Sequence, residues 1–137
     1  MRFGSILVPW LSVALAVPAM SGDGRGVKKP RLDLRASPRM ALMPVDVLVV
    51  AELVGGDAIE DFYCPAIEWD WGDGARSAHE SDCPPFQPGM EMARRHSASH
   101  AYRRPGEYSV RVTLRRVGRA LAAASTLVTI GGGASAP

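Results

Sequence analysis

The chain has 137 residues, with 16 Lys or Arg against 14 Asp or Glu, a formal net charge of +2 and two cysteines. That length suits one domain. The near balance of charge argues against nucleic acid as a partner, because such proteins concentrate basic residues on one face.

The N-terminal segment is expected to stand outside the domain. Met1-Arg2 supplies a positive charge, and the apolar run Ile6 to Ala19 ends in Val17-Pro18-Ala19. A basic start, an apolar stretch and small residues at its end describe a secretory signal peptide, here residues 1–19. The run is shorter than the roughly 20 apolar residues of a membrane span. Secreted or periplasmic localisation follows, with no membrane span after cleavage; a retained N-terminal anchor is the alternative. Residues 20–30, Gly-rich and basic, read as a flexible leader.

From 31 to 130 the pattern is that of strands. Leu32 to Pro38 gives a first one. Val45 to Leu53 sets Val45, Val47, Val49 and Ala51 on one face and Asp46, Leu48, Val50 and Glu52 on the other. Ala66 to Trp71 alternates Ile67, Trp69 and Trp71 with Glu68 and Asp70, and runs into Gly72-Asp73-Gly74. The glycines permit positive φ, and Asp73 can bond nearby amides, so a tight turn is expected there. Residues 75–99 read as a surface excursion rich in proline, with one short strand around Glu91 to Ala98. Glu107 to Arg116 alternates Tyr108, Val110, Val112 and Leu114 with polar residues, and Ser125 to Ile130 closes the set. Val117-Gly118-Arg119 is expected to be a hairpin turn, although the alanines after it leave a helical option. Period-2 alternation bounded by Gly and Pro marks half-buried strands. Residues 131–137 read as a flexible tail.

In an exported chain Cys64 and Cys83 are expected to form a disulfide. They lack the C-x-x-C spacing of a redox pair. Closing a loop of about 20 residues stabilises a fold by roughly 3 kcal/mol through loop-closure entropy.

Trp69-Asp70-Trp71-Gly72-Asp73-Gly74, followed by His100-Ala101-Tyr102, Pro105-Gly106 and Tyr108-Ser109-Val110-Arg111-Val112, resembles the PKD domain, an immunoglobulin-like repeat. The family shows Trp-Asp-Phe-Gly-Asp-Gly, then His-Thr-Tyr, a Pro-Gly pair and Tyr-x-Val-x-Leu; here Trp71 stands at the Phe and Ala101 at the Thr. The Cys64–Cys83 pair lies outside that pattern. The resemblance implies an all-β, immunoglobulin-like antiparallel β-sandwich of about seven strands, with the Trp strand beside the Tyr108 strand. Trp69, Asp70, Trp71, Gly72, Asp73, Gly74, His100, Tyr102, Pro105, Gly106 and Tyr108 would then be structural.

Such a pairing would also explain the charge distribution. Between 41 and 91 eleven acids face Arg76 alone, whereas from 92 onward eight arginines face Glu107 alone. Glu68 and Asp70 should lie near Arg111 and Arg115, as cross-strand ion pairs.

The same residues invite sharper chemistries. Glu68, Asp70 and Asp73 could offer oxygens to calcium, but no EF-hand spacing is present. His96 and His100 stand four apart, a zinc spacing on a helix but of little weight in extended chain. No G-x-S-x-G elbow or Cys-His signature occurs, and a small sandwich without a deep pocket makes a poor glycosidase. The reading is a non-enzymatic extracellular module with no cofactor and no metal, contacting an extracellular protein or glycan; the alternative is a structural spacer or adhesion unit. A loop excursion pinned by a disulfide is a preorganised surface, so Arg76, Phe86, Arg103 and Arg104 are the candidate ligand-binding residues.

Overall fold

Alternating side chains divide each strand into a buried and a wet face. Asp46–Val54 (β3) buries Val47, Val49, Ala51 and Leu53 and leaves Asp46 and Leu48 outside. The computed structural model describes residues 28–57 and 60–133, with isolated positions between 4 and 16. Most of the expected signal peptide, most of the leader and the last four residues of the tail lie outside the described residues.

On one side of β3 runs Arg31–Ser37 (β1) and on the other Arg95–Ala101 (β6), both antiparallel to it. The second sheet contains Met40–Leu42 (β2), Ala66–Asp70 (β4), Arg76–His79 (β5), Gly106–Arg116 (β7) and Arg119–Gly131 (β8). Its order is β2-β8-β7-β4-β5. The central pairing is the expected one: Trp69 lies opposite Val112, and Ile67 opposite Leu114. Val110, Val112 and Leu114 are fully buried, and with Ile67, Trp69 and Trp71 they meet the inner face of β3. A β-sandwich results.

Eight strands, not about seven, occur among the described residues, and two of them were not foreseen. β2 arises because Pro38 ends β1 and the chain crosses to the other sheet. There the Thr129 amide donates to the Arg39 carbonyl (2.8 Å) and the Met43 amide to the Gly131 carbonyl (3.2 Å). β2 runs parallel to β8, so the sandwich is not antiparallel throughout. β5 has no β-branched residue and no buried side chain. Its pairing with β4 follows from the hairpin, not from propensity.

The strand foreseen at Glu91 to Ala98 is β6, which begins later, at Arg95. The alanines after the turn extend β8 toward its N-terminus and form no helix. Val117 and Gly118 form the hairpin turn, both with positive φ (51° and 72°), as a two-residue turn between twisted strands demands. No helix among the described residues is long and apolar enough to cross a membrane.

The excursion is stapled to the start of β4. Cys64 and Cys83 are bonded, with Cα atoms 6.2 Å apart. Tyr63, following a 3-10 turn at Glu60–Phe62, packs edge-on against Phe86 (5.3 Å). Its hydroxyl donates to the Pro84 carbonyl.

On β6, His96 turns inward and its Nε2 is buried without a partner among the described residues. Burial, and then repulsion from His79 on β5, hold its pKa below the ordinary 6.5.

Two outcomes are expected. Replacing Cys64 and Cys83 together by Ala should lower unfolding free energy by about 3 kcal/mol, read as the shift in urea midpoint at constant slope. A histidine whose folded pKa is depressed contributes fully above its unfolded pKa, and that contribution is lost as pH falls from 6.5 toward the folded value. Stability should therefore drop between pH 7 and pH 5. In His96→Leu that part of the pH dependence should vanish, as urea titrations at the two pH values would show.

Candidate interaction surface

The two sequence motifs meet at one joint. The turn after β4 is built by its own aspartates: Asp70 Oδ1 accepts the Gly72 amide (3.0 Å), and Asp73 Oδ1 accepts the Ala75 amide (2.9 Å). Gly72 has φ +79°, and a Cβ there would lie 2.6 Å from the Ser109 carbonyl oxygen. Only glycine fits so close to β7 in that conformation.

His100 then bonds Asp73 Oδ2 (2.7 Å) through Nε2 and stacks on Trp71, with ring centroids 4.7 Å apart. The Tyr102 hydroxyl donates to the Trp71 carbonyl (2.8 Å), and Trp71 Nε1 donates to Ser77 Oγ (2.7 Å). Tyr102 stacks in turn on Tyr108 (4.3 Å), whose hydroxyl donates to the Arg104 carbonyl (2.6 Å).

Electrostatics follow from this wiring. Burial pushes the Asp73 carboxyl up, but the bonds from His100 and the Ala75 amide outweigh it and hold the group below the usual carboxylate range. Burial, with Asp73 nearby, pushes the Tyr102 hydroxyl up to about 12. Asp70 and Asp73 thus use their oxygens on amides, Arg76 and His100. Among the described residues no group of three His, Cys, Asp or Glu side chains could hold a metal ion.

What faces water is different. The outer face of β4, β5 and β7 forms a groove of about 400 Å³, lined by Glu68, Asp70, Arg76, Ser77, Ala78, Arg111, Thr113 and Arg115, with Trp69 beneath. Arg115 Nε bonds Glu68 Oε2 (2.8 Å), as the charge segregation foretold. Asp70 lies opposite Arg111 in register, yet its ion pair goes to Arg76 on the other neighbour (3.4 Å).

The four candidate ligand residues are not brought together. Arg76 belongs to this groove. Arg103 and Arg104 line a separate cleft with Asp73, His100 and Tyr108. Phe86 is half-buried against Tyr63 on the excursion. Ser77 had no signal in the sequence, because β5 itself was not visible there. Tyr63 as the anchor of the excursion was missed too, although its place beside Cys64 was the available clue.

A two-sheet sandwich closed by an Asp–His–Trp–Tyr joint defines a fold of PKD type. The PKD domain of an M14-like peptidase from Thermoplasmatales archaeon SCGC AB-540-F20 matches it with a TM-score of 0.52 at 15% identity, over 77% of this chain and 98% of that one. At that identity the likeness is one of fold. No family model matches the chain, and neither does any curated protein.

The joint makes a measurable claim. Tyr102→Phe leaves the ring in place but strands the buried Trp71 carbonyl. It should cost about 1–3 kcal/mol in chemical denaturation, whereas Arg103→Ala on the neighbouring exposed position should stay within about 0.5 kcal/mol.

Proposed function

We propose that this chain is a non-catalytic interaction module, secreted or periplasmic, that recognises an extracellular protein or glycan through the outer face of β4, β5 and β7. The observation that carries the reading is the division of labour along β4. Its inward residues are spent on the core, while Glu68 and Asp70 hold arginines from both neighbouring strands across an open groove.

Two groups that could act as acid and base are engaged otherwise. His100 and Asp73 bond each other and lock the turn, with the imidazole flat on Trp71. The Cys64–Cys83 bond fits an oxidising compartment. The similar fold comes from a domain of a peptidase, which suits a module working beside a secreted hydrolase. Arg103 and Arg104 add a second basic rim at a cleft that they line with Asp73 and Ala75 of the turn.

The test is a charge reversal. Arg76→Glu combined with Arg115→Glu leaves the inner faces untouched but sets like charges against Asp70 and Glu68, so the fold should be retained with a loss of about 1–2 kcal/mol in unfolding free energy. Binding on peptide and glycan arrays should fall at least about tenfold, since two attractive contacts become repulsive. Array binding unaffected by that pair would refute the groove as the recognition surface.

A further inference from the structure

Asp70 stands between two arginines. In register it lies opposite Arg76 on β5 and opposite Arg111 on β7, so the three side chains form one row across the outer face. One carboxylate cannot neutralise both. Its Oδ1 is held by the Gly72 amide and its Oδ2 faces Arg76, and among the described residues Arg111 forms no ion pair. The other acid on this face, Glu68, is taken by Arg115. Three arginines thus share two carboxylates, and the surplus charge is localised on the row.

We propose that the row is completed by a carboxylate from an acidic, extended segment of a partner protein that adds to the edge of β5. The inference rests on the interaction-module reading and names its partner. Charge alone would also admit an acidic glycan, but a sugar ring is usually seated on an exposed aromatic face. The groove has none: Trp69 is 3% exposed and Trp71 1%.

A polypeptide strand finds a better fit. β5 is the outermost strand of its sheet, all four of its residues are exposed, and Arg76, Ser77 and Ala78 wall the groove. Alternate N–H and C=O groups of an edge strand point away from the sheet, ready to pair with another chain. An added strand would set its outward side chains beside Arg76 and Ala78. A carboxylate placed there takes Arg76. Asp70 is then released toward Arg111, and one ion pair becomes two.

The full chain, labelled with nitrogen-15, would be titrated with an eight-residue peptide alternating Glu and Thr, its Gln-Thr counterpart, and an oligogalacturonate. The Glu peptide should shift the amides of Arg76–His79, Asp70 and Arg111, and should bind about threefold tighter than the Gln peptide, as expected for an exposed ion pair. Asp70→Asn keeps the oxygen that accepts the Gly72 amide and frees both arginines, so it should bind the Glu peptide about threefold tighter still. Arg111→Gln removes the surplus charge and should weaken binding about threefold.

Both positions are solvent-facing, and a dispersed spectrum verifies the fold. Equal affinity for the Gln peptide, or no gain in Asp70→Asn, overturns the inference. Oligogalacturonate shifting the groove where the peptides do not would also overturn it, yet leave the module reading standing. Silence of the groove toward all three probes would remove both.

Discussion

The fold hangs on the contact between His100 and the turn that follows β4. His100 belongs to β6, in the three-stranded sheet, whereas Asp73 and Trp71 follow β4 of the five-stranded one. One imidazole therefore ties the two sheets together by a hydrogen bond and a stacked face. Two positions on, the Tyr102 hydroxyl reaches the Trp71 carbonyl and satisfies a main-chain acceptor beyond the end of the β4 ladder. An unpaired buried carbonyl at that place would cost more than the bond itself gains. The closeness of the turn to Ser109 then fixes glycine at position 72. Geometry and polarity close on the same few residues.

Much of this was legible beforehand because the pattern of burial has period two. The inward sets of β3, β4 and β7 could be written down from the sequence, since Val47, Trp69 and Val112 each alternate with residues that tolerate water. The motif residues were legible for another reason: their types and order resemble those of the PKD domain. What stayed hidden had no local signal. Met40–Leu42 owes its strand state to a parallel partner almost 90 residues away in sequence, a partner no short-range pattern can announce. Arg76–His79 is a strand because a hairpin holds it, against weak propensity. The excursion could be foreseen as stapled but not as folded onto Tyr63.

The candidate surface was only half visible. Charge segregation along the chain pointed to Glu68 meeting Arg115, and a diagonal pair does form. It could not reveal that Asp70 would choose Arg76 over Arg111, because β5 was missing from the expected sheet. An unforeseen edge strand thus changed an ion pair and with it the location of spare charge.

Alternation has a final consequence for how such a module can change. Along β4 every inward position is committed: Ile67, Trp69 and, just past the strand, Trp71 fill the core. Every outward position lies within one side chain's reach of two neighbouring strands. Inward substitutions must be judged against packing and outward ones against charge, and the two currencies hardly mix because the sheet separates them. The joint at His100 lets this separation hold right up to the turn: Asp73 serves the scaffold, while Asp70, three residues earlier, is shared between turn and groove. That double duty joins the outer face to the turn, and the His100–Asp73 bond joins the turn to the other sheet.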